Sequence, residues 1–403
     1  MTKQQTNYKQ TEIGEIPQSW RIVKSVDVLD KIIDYRGKTP PKTNSGIPLV
    51  TAKVVKAGRI DYSNPEYITK ETWKNWMTRG LPKKGDVVIT TEAPLGEVAQ
   101  LDTANIGLAQ RLLTLRGKDG ELDNTFLKYY LLSYIGQQEL VSRATGSVVK
   151  GIRQSEFRKV RVLLPSYDEQ LKIASVLGSL DEKIELNRKT NQTLEEMGKA
   201  LFKNWFVDSE ALEGAIALES LIELNPRESL KKGETTKYVE MKDLPEQGMW
   251  VSSQISKPYK GGSKFRNGDS LMARITPCLE NGKSALVSFL EAGELAFGST
   301  EYIVFRPNDN QYREYVYFLV RNEQFRQHAI KSMVGSSGRQ RVQIDAIRNY
   351  KLKSPQTALI RKFHNSMEPI FQQIKINALE NEKLSSIRGS LLPRLMSGKL
   401  RVN

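Results

Sequence analysis

The sequence predicts an α+β protein with an internal repeat: two globular α/β domains and two long helices, in the order domain, helix, domain, helix. Three observations predict it. A Gly-Ser loop recurs in each half, "GSVVKGIRQSEFRKVRVLLP" from Gly146 and "GSSGRQRVQIDAIRNYKLKSP" from Gly335. Each loop is followed by a polar-basic run and a short strand that ends at a proline, Pro165 or Pro355. Beyond each proline lies a long amphipathic stretch whose apolar positions step alternately by four and three residues, the signature of a heptad seam.

The two seams correspond position by position. The first reads Ile173, Leu177, Leu180, Ile184, Asn187, Asn191, Leu194, Gly198, Leu201 and Trp205. Adding 190 to each number gives Phe363, Met367, Ile370, Ile374, Asn377, Asn381, Leu384, Arg388, Leu391 and Leu395. An amide pair therefore interrupts both apolar stripes at the same place. Ser166-x-x-Glu169 opens the first helix as a capping box. The domain boundaries follow: 1–166, a helix over 167–206, 207–355, and a second helix over 356–403.

Other segments repeat in the same order. Helix-like aromatic runs precede both Gly-Ser loops, "FLKYYLLSYIGQQEL" from Phe126 and "YVYFLVRNEQFRQHA" from Tyr315. Further upstream, "KKGDVVITTEAPLG" from Lys83 resembles "RNGDSLMARITPCLE" from Arg266, and "PLVTAKVV" from Pro48 resembles "KYVEMKDL" from Lys237.

An antiparallel pairing of the helices that sets Asn187 against Asn381 also sets Asn191 against Asn377. It places Ile173 by Leu395, Leu177 by Leu391, Leu194 by Ile374 and Trp205 by Phe363. Leu180 then faces Arg388, whose stem can lie on the seam while its charge reaches out. Asn187, Asn191, Asn377 and Asn381 are candidate register residues, because a slipped pairing strands amides in an apolar seam. A parallel arrangement pairs like with like and satisfies the amides too, so the pattern leaves direction open.

Composition bounds the function. The formal net charge is +15, with an isoelectric point near 9.5. Residues 1–166 carry net +9 (26 basic, 17 acidic), 167–206 net −1 (6 and 7), 207–355 net +2 (21 and 19) and 356–403 net +5 (8 and 3). So uneven a basic excess points to a polyanionic partner, most simply nucleic acid. A single cysteine, Cys278, excludes an internal disulfide and leads us to expect a reducing, cytoplasmic setting. No run of about eighteen apolar residues suggests a membrane span, and the first residues lack the apolar core of a secretory signal.

Catalytic and metal-binding patterns are missing. Of the two histidines, His328 and His364, the latter is expected at a helix surface. Cys278 has no partner at metal-ligand spacing, and no metal site is expected. "PCLENGKS" ends like a phosphate loop, but Pro277 occupies the first glycine position. Glu240-Met241-Lys242 is a bare E-x-K, and no N/D-P-P-Y/F motif of adenine methyltransferases occurs.

Loops that combine small residues with cations and amides suit DNA reading, because the backbone can approach phosphate while Arg, Asn and Gln address base edges. In the first domain the candidates are Arg36, Lys38, Thr39, Lys53, Lys56, Ser147, Lys150 and Arg153. In the second they are Lys260, Ser263, Lys264, Arg274, Ser336, Arg339, Gln340 and Arg341. Taken singly, each loop also reads as a solvated turn; recurrence in both halves and the net charge favour DNA.

The chain resembles the specificity (S) subunits of type I restriction-modification systems. "IGEIPQSW" at Ile13, "GIPLVTAKVV" at Gly46, "KKGDVVIT" at Lys83, and the long run from Gly146 through "DEQLKIASVLGSLDEKI" carry the resemblance, with a weaker second copy from Gly335. The second copy lacks the Glu169-Gln170 pair of the first. The resemblance implies two target-recognition domains, each reading half of a bipartite double-stranded DNA site. It implies two spacer helices packed antiparallel as a coiled coil, in a pseudo-twofold arrangement. It further implies a non-catalytic chain with two modification (M) subunits and restriction (R) subunits as partners. S-adenosylmethionine, ATP and Mg are then expected on those partners and no cofactor on this chain. The competing readings are a self-contained DNA methyltransferase or nuclease, which the missing motifs disfavour, and a coiled-coil scaffold for proteins alone, which has no use for the basic first domain.

Overall fold

A computed structural model describes residues 7–35, 39–209, 214–251 and 254–402. The chain divides into two compact units, Met1–Lys183 with Lys383–Asn403, and Ile184–Glu382. No helix among the described residues is long and apolar enough to cross a membrane.

In the first unit an antiparallel sheet centres on Val87–Thr90 and Leu112–Gly117. Val98–Gln100 flanks the former and Leu29–Asp34 the latter. The run Val87-Val88-Ile89-Thr90 is buried throughout, as expected of β-branched residues covered on both faces. A second sheet holds Ile47–Val50 between Gly107–Leu108, parallel to it, and Glu66–Ile68, antiparallel. Arg161–Leu164, after the Gly-Ser loop, pairs with Arg21–Lys24.

The second unit repeats this topology. Ser270–Ala273 and Tyr302–Pro307 are central, with Ser284–Leu286 and Ile222–Leu224 outside. Thr235–Val239 lies between Ala296–Gly298, parallel, and Ile255–Pro258, antiparallel, and Ser263–Phe265 adds an edge strand. Lys351–Lys353 pairs with Ala215–Ala217.

The repeated Gly-Asp step has a structural cause. Asp86 accepts the Lys83 amide at 2.8 Å and binds Arg116 Nε and Nη2 at 2.8 and 2.7 Å. Asp269 accepts the Arg266 amide at 2.9 Å and binds Arg306 Nε and Nη2 at 2.8 and 2.7 Å. Each aspartate thus closes the turn into its strand and ties that strand to the next. Burial pushes the Asp269 carboxyl above the usual range, against the pull of Arg306 and the Arg266 amide. A buried ion pair of this kind fixes geometry more than it stabilises.

Each aromatic run forms two helices rather than one. Asn124–Leu132 is followed by Tyr134–Ser142, and Arg313–Arg321 by Glu323–Lys331. Ser133 causes the first break. Its hydroxyl donates to the Tyr130 carbonyl at 2.6 Å and caps the next helix by accepting from the Gly136 amide at 3.2 Å. Asn322 caps the equivalent helix through the Gln324 and Phe325 amides. The polar-basic runs likewise contain short helices, Gln154–Phe157 and Ile344–Arg348.

The long stretches are helical over Tyr167–Phe202 and Thr357–Met396. In the first unit Ile173 and Leu177 share a core with Trp20, Phe126, Leu395 and Met396, and Leu391 packs against it. Arg388 does not send its charge to solvent: Nη1 binds Asp181 Oδ1 at 2.6 Å, beside Lys128 and Tyr129. Glu169 and Gln170 also turn inward. Glu169 accepts from Trp20 Nε1 at 3.1 Å and Arg401 Nη2 at 2.9 Å, while Gln170 bonds Asp123, Glu121 and Pro165 backbone.

In the second unit Asn187 Nδ2 donates to Asn381 Oδ1 at 3.0 Å and to Glu380 Oε2 at 2.7 Å. Asn377 Nδ2 donates to Asn191 Oδ1 at 2.8 Å, and Asn191 Nδ2 to the Ile374 carbonyl at 3.2 Å. As one number rises the other falls, so these helix segments run antiparallel. Trp205 and Phe363 meet edge-on, ring centroids 5.9 Å apart. Gly198 interrupts the stripe because the Phe318 ring fills its place, 2.4 Å from where a Cβ would stand.

Arg306→Ala should cost about 3–5 kcal/mol, because it leaves Asp269 buried without its partner. The double change Asp269→Asn with Arg306→Met removes the buried charge but keeps an acceptor for the Arg266 amide, and should restore part of that. Urea denaturation midpoints check both; a silent Arg306→Ala would contradict the role given to the pair.

Candidate nucleic-acid interface

In the first unit the Gly-Ser loop is closed by reciprocal backbone bonds between Thr145 and Gly151, 2.8 and 2.9 Å. Gly146 opens it at φ +106, and a Cβ there would stand 2.2 Å from the Val149 carbonyl oxygen. The loop is fastened to the turn that joins strands Val87–Thr90 and Val98–Gln100. Ile152 N donates to the Thr91 carbonyl and Thr91 N to the Arg111 carbonyl, both at 2.9 Å, and Glu92 bridges Gly151. Ser147, Lys150 and Arg153 are exposed around it, as are Val148 and Val149.

Other predicted residues join the same framework. Thr39 accepts from Gln110 Nε2 at 2.9 Å, next to Arg111. Lys53 and Lys56 are exposed, and the hairpin turn after Lys56 is held where Ala57 N donates to Glu97 at 3.2 Å. Arg36 and Lys38 lie outside the described residues.

The second unit builds the equivalent loop. Val334 and Arg341 close it with two backbone bonds of 3.0 Å. Val342 N donates to the Arg274 carbonyl at 2.9 Å, Arg274 N to the Glu301 carbonyl at 2.9 Å, and Thr276 N to the Gln340 carbonyl at 3.2 Å. Arg274, Gln340 and Arg341 are therefore assembled together, with Ser336 and Arg339 exposed on the loop. Glu301, which sequence reading missed, is the hub. Arg341 grips it through Nε at 2.9 Å and Nη2 at 2.7 Å, and Arg274 Nε lies 3.9 Å away. The Arg341 hydrogen bond holds the Glu301 carboxyl below the usual glutamate range.

Lys260, Ser263 and Lys264 sit at the neighbouring sheet edge. Lys260 is exposed. Ser263 donates to the Tyr302 carbonyl at 3.1 Å, adjacent to Glu301. Lys264 donates to the Glu228 carbonyl and lies over the Tyr259 ring, 5.4 Å from its centroid. Ser263, Lys264, Arg227 and Glu228 line a groove of about 430 Å³.

The residues set aside as non-catalytic have structural partners. Lys283, of the near-phosphate loop, donates to the Met241 carbonyl at 2.9 Å. Glu240 binds Lys242 and Lys257 at 2.7 and 2.9 Å, and those cations hold its carboxyl down at about 2. His364 is half-buried rather than free at the surface: its Nδ1 lies 2.7 Å from Oε2 of buried Glu314. Glu314, His364 and Glu368 are, among the described residues, the one group of metal-ligating type. Arg313 bonds both of those glutamates and already supplies the positive charge. The group clasps helix Arg313–Arg321 to the long helix Thr357–Met396.

Residues 17–196 match the type I restriction modification DNA specificity domain. Over nearly its whole length the chain is similar to specificity subunits of type I restriction enzymes. It is 26% identical over 444 residues to the type I restriction enzyme MjaIX specificity subunit of Methanocaldococcus jannaschii, covering 99% of this chain and 97% of that one. The EcoAI specificity subunit of Escherichia coli is 40% identical over 84 residues, 21% of this chain and 14% of that relative. The crystal structure of the type I restriction-modification S subunit from M. genitalium shares the fold, with a TM-score of 0.56 at 16% identity over 98% of this chain and 97% of that one.

The Glu301–Arg341 contact should be intact above the ordinary glutamate value of 4.5 and be lost as pH falls through the lowered folded value. Carboxyl NMR should place the Glu301 midpoint lower in the native chain than in Arg341→Ala. Equal midpoints would remove Arg341 as the cause.

Proposed function

We propose that this chain is the non-catalytic DNA-reading subunit of a type I restriction-modification complex. Domains 1–166 and 207–355 each read one half of a bipartite duplex site. The helices over 167–206 and 356–403 form an antiparallel coiled-coil spacer that sets the gap. One observation carries the reading: a cation-bearing Gly-Ser loop is fastened in the same way onto the same hairpin in both units, through Ile152–Thr91 and Val342–Arg274. Two copies of one reading device suit a site in two parts. The loops offer donors from Lys, Arg, Ser and Gln, which address phosphates and base edges.

Asn187, Asn191, Asn377 and Asn381 are the register residues of the spacer. A slip of one heptad would part them and shift the helices by about 10 Å, seven residues at 1.5 Å each.

Two M subunits and R subunits are the protein partners, in the cytoplasm. S-adenosylmethionine, ATP and Mg act on those partners. The support for paired recruitment is an exposed apolar position repeated on both helices. Leu186 and Ile376, 190 apart, are 59% and 56% exposed; Met197 and Ile387, also 190 apart, are 50% and 47% exposed. Apolar side chains kept in water at equivalent places suit two copies of one partner.

The test is footprinting of the chain with its M subunits on duplex DNA, which should protect two short tracts separated by several base pairs. One contiguous tract, or none, would defeat the reading. Exchanging residues 1–166 should change one half-site only. Removing one heptad from each helix should alter the gap between half-sites. Replacing the four asparagines with leucine should keep the helices but relax the strictness of that gap, measured as methylation of sites with altered spacing.

A further inference from the structure

Arg111 was not among the residues predicted from sequence, and folding does not account for its state. Four described non-glycine residues have positive φ: Ala57, Ala93, Arg111 and Asn225. Arg111, at φ +67, is the one with a charge. Side-chain-bearing residues seldom adopt this left-handed conformation, and it is held only where the surroundings impose it. The Arg111 carbonyl accepts from Thr91, whose own carbonyl accepts from Ile152 at the foot of the Gly-Ser loop. The backbone that anchors the reading loop therefore also fixes Arg111.

The side chain gives little stability in return. Its Nε meets Glu92 Oε1 at 3.0 Å, with the two side chains 51% and 45% exposed. Exposed ion pairs of this kind contribute almost nothing to folding. What the pair does is orient a guanidinium at the surface, held to Glu92, which bridges Gly151 at the foot of the loop that carries exposed Ser147, Val148 and Lys150. Methyl groups such as those of Val148 suit contact with thymine, and the cations suit phosphate.

The second unit inverts the signs. The residue equivalent to Arg111 is Glu301, whose carbonyl accepts from Arg274 just as that of Arg111 accepts from Thr91. Here the carboxylate is on the strand junction and the arginine, Arg341, on the loop. The same position on one scaffold thus presents a donor fork in one unit and an acceptor in the other.

We propose that Arg111 is a specificity-determining residue of the first half-site, reading the O6/N7 edge of a guanine in the major groove while Glu92 holds its Nε side. The inference rests on the DNA-reading function proposed above. A planar fork, rather than a charge alone, is what this contact needs.

Arg111→Gly relieves the left-handed backbone and removes the fork, and Arg111→Lys keeps the charge but not the fork. Each variant, as the full chain with its M subunits, is expressed in cells whose methylated adenines are then mapped by sequencing. Both should lose preference at a guanine of one half-site by about tenfold or more, with the other half-site unchanged. Thermal unfolding of Arg111→Gly should be no lower than that of the native chain. The inference is overturned if either variant keeps the whole motif. It is also overturned if Arg111→Gly unfolds earlier and loses both half-sites, which marks a structural role. A native complex that yields no split motif overturns the DNA-reading function itself, and this inference with it.

Discussion

Asn187 reaches Asn381 at 3.0 Å, and Asn377 reaches Asn191 at 2.8 Å, because two helices far apart in sequence run antiparallel in one register. Within the second unit these bonds lie on a stripe that is otherwise apolar, Leu194 and Ile374 to one side and Trp205 and Phe363 further along. Asn187 and Asn377 are buried, so their donors and acceptors must be met by protein. Any other register would leave them unmet at a cost of roughly 1–3 kcal/mol each. The first unit depends on the same return of the chain. Leu395 and Met396 complete the core begun at Trp20, and Arg401 and Trp20 both donate to Glu169 Oε2.

A conserved mechanical plan carries divergent chemistry. In each unit an aspartate closes the turn into a central strand and grips an arginine on its neighbour, which ties the two strands together. The Gly-Ser loop then hangs on the following hairpin by backbone bonds, which do not depend on side-chain identity. Side chains at the junction are free to differ, and they do: Glu92 faces Arg111 in one unit, Arg341 faces Glu301 in the other. The backbone thus holds the junction in place whichever side chains stand at it.

Much of this was legible in the sequence. The 190-residue offset of the seams, the repeated Gly-Ser loops and the repeated Gly-Asp steps are local patterns, and each reappears as an element or a turn. Less legible were features that depend on a partner distant in the chain. The aromatic runs looked like single helices, because nothing in Ser133 announces that its hydroxyl will donate to Tyr130 and cap the next helix. His364 looked like a surface residue beside the seam, yet it meets buried Glu314, 50 positions away. Arg388 was expected to reach solvent and instead meets Asp181. Arg111 carried no signal except its place opposite Glu301 in the repeat, since a left-handed backbone is not written in an arginine.

The sequence alone determined the repeat, the helices and their amide interruptions, and the basic loops, because hydrophobic period and turn chemistry act over a few residues. Tertiary structure decided which of those loops share a hairpin, which cations are already paired, and that Glu92, Arg111 and Glu301 stand at the junction. Such choices rest on backbone hydrogen bonds between segments distant in the chain, such as Thr91 with Ile152 and Arg274 with Val342, and no local pattern encodes them.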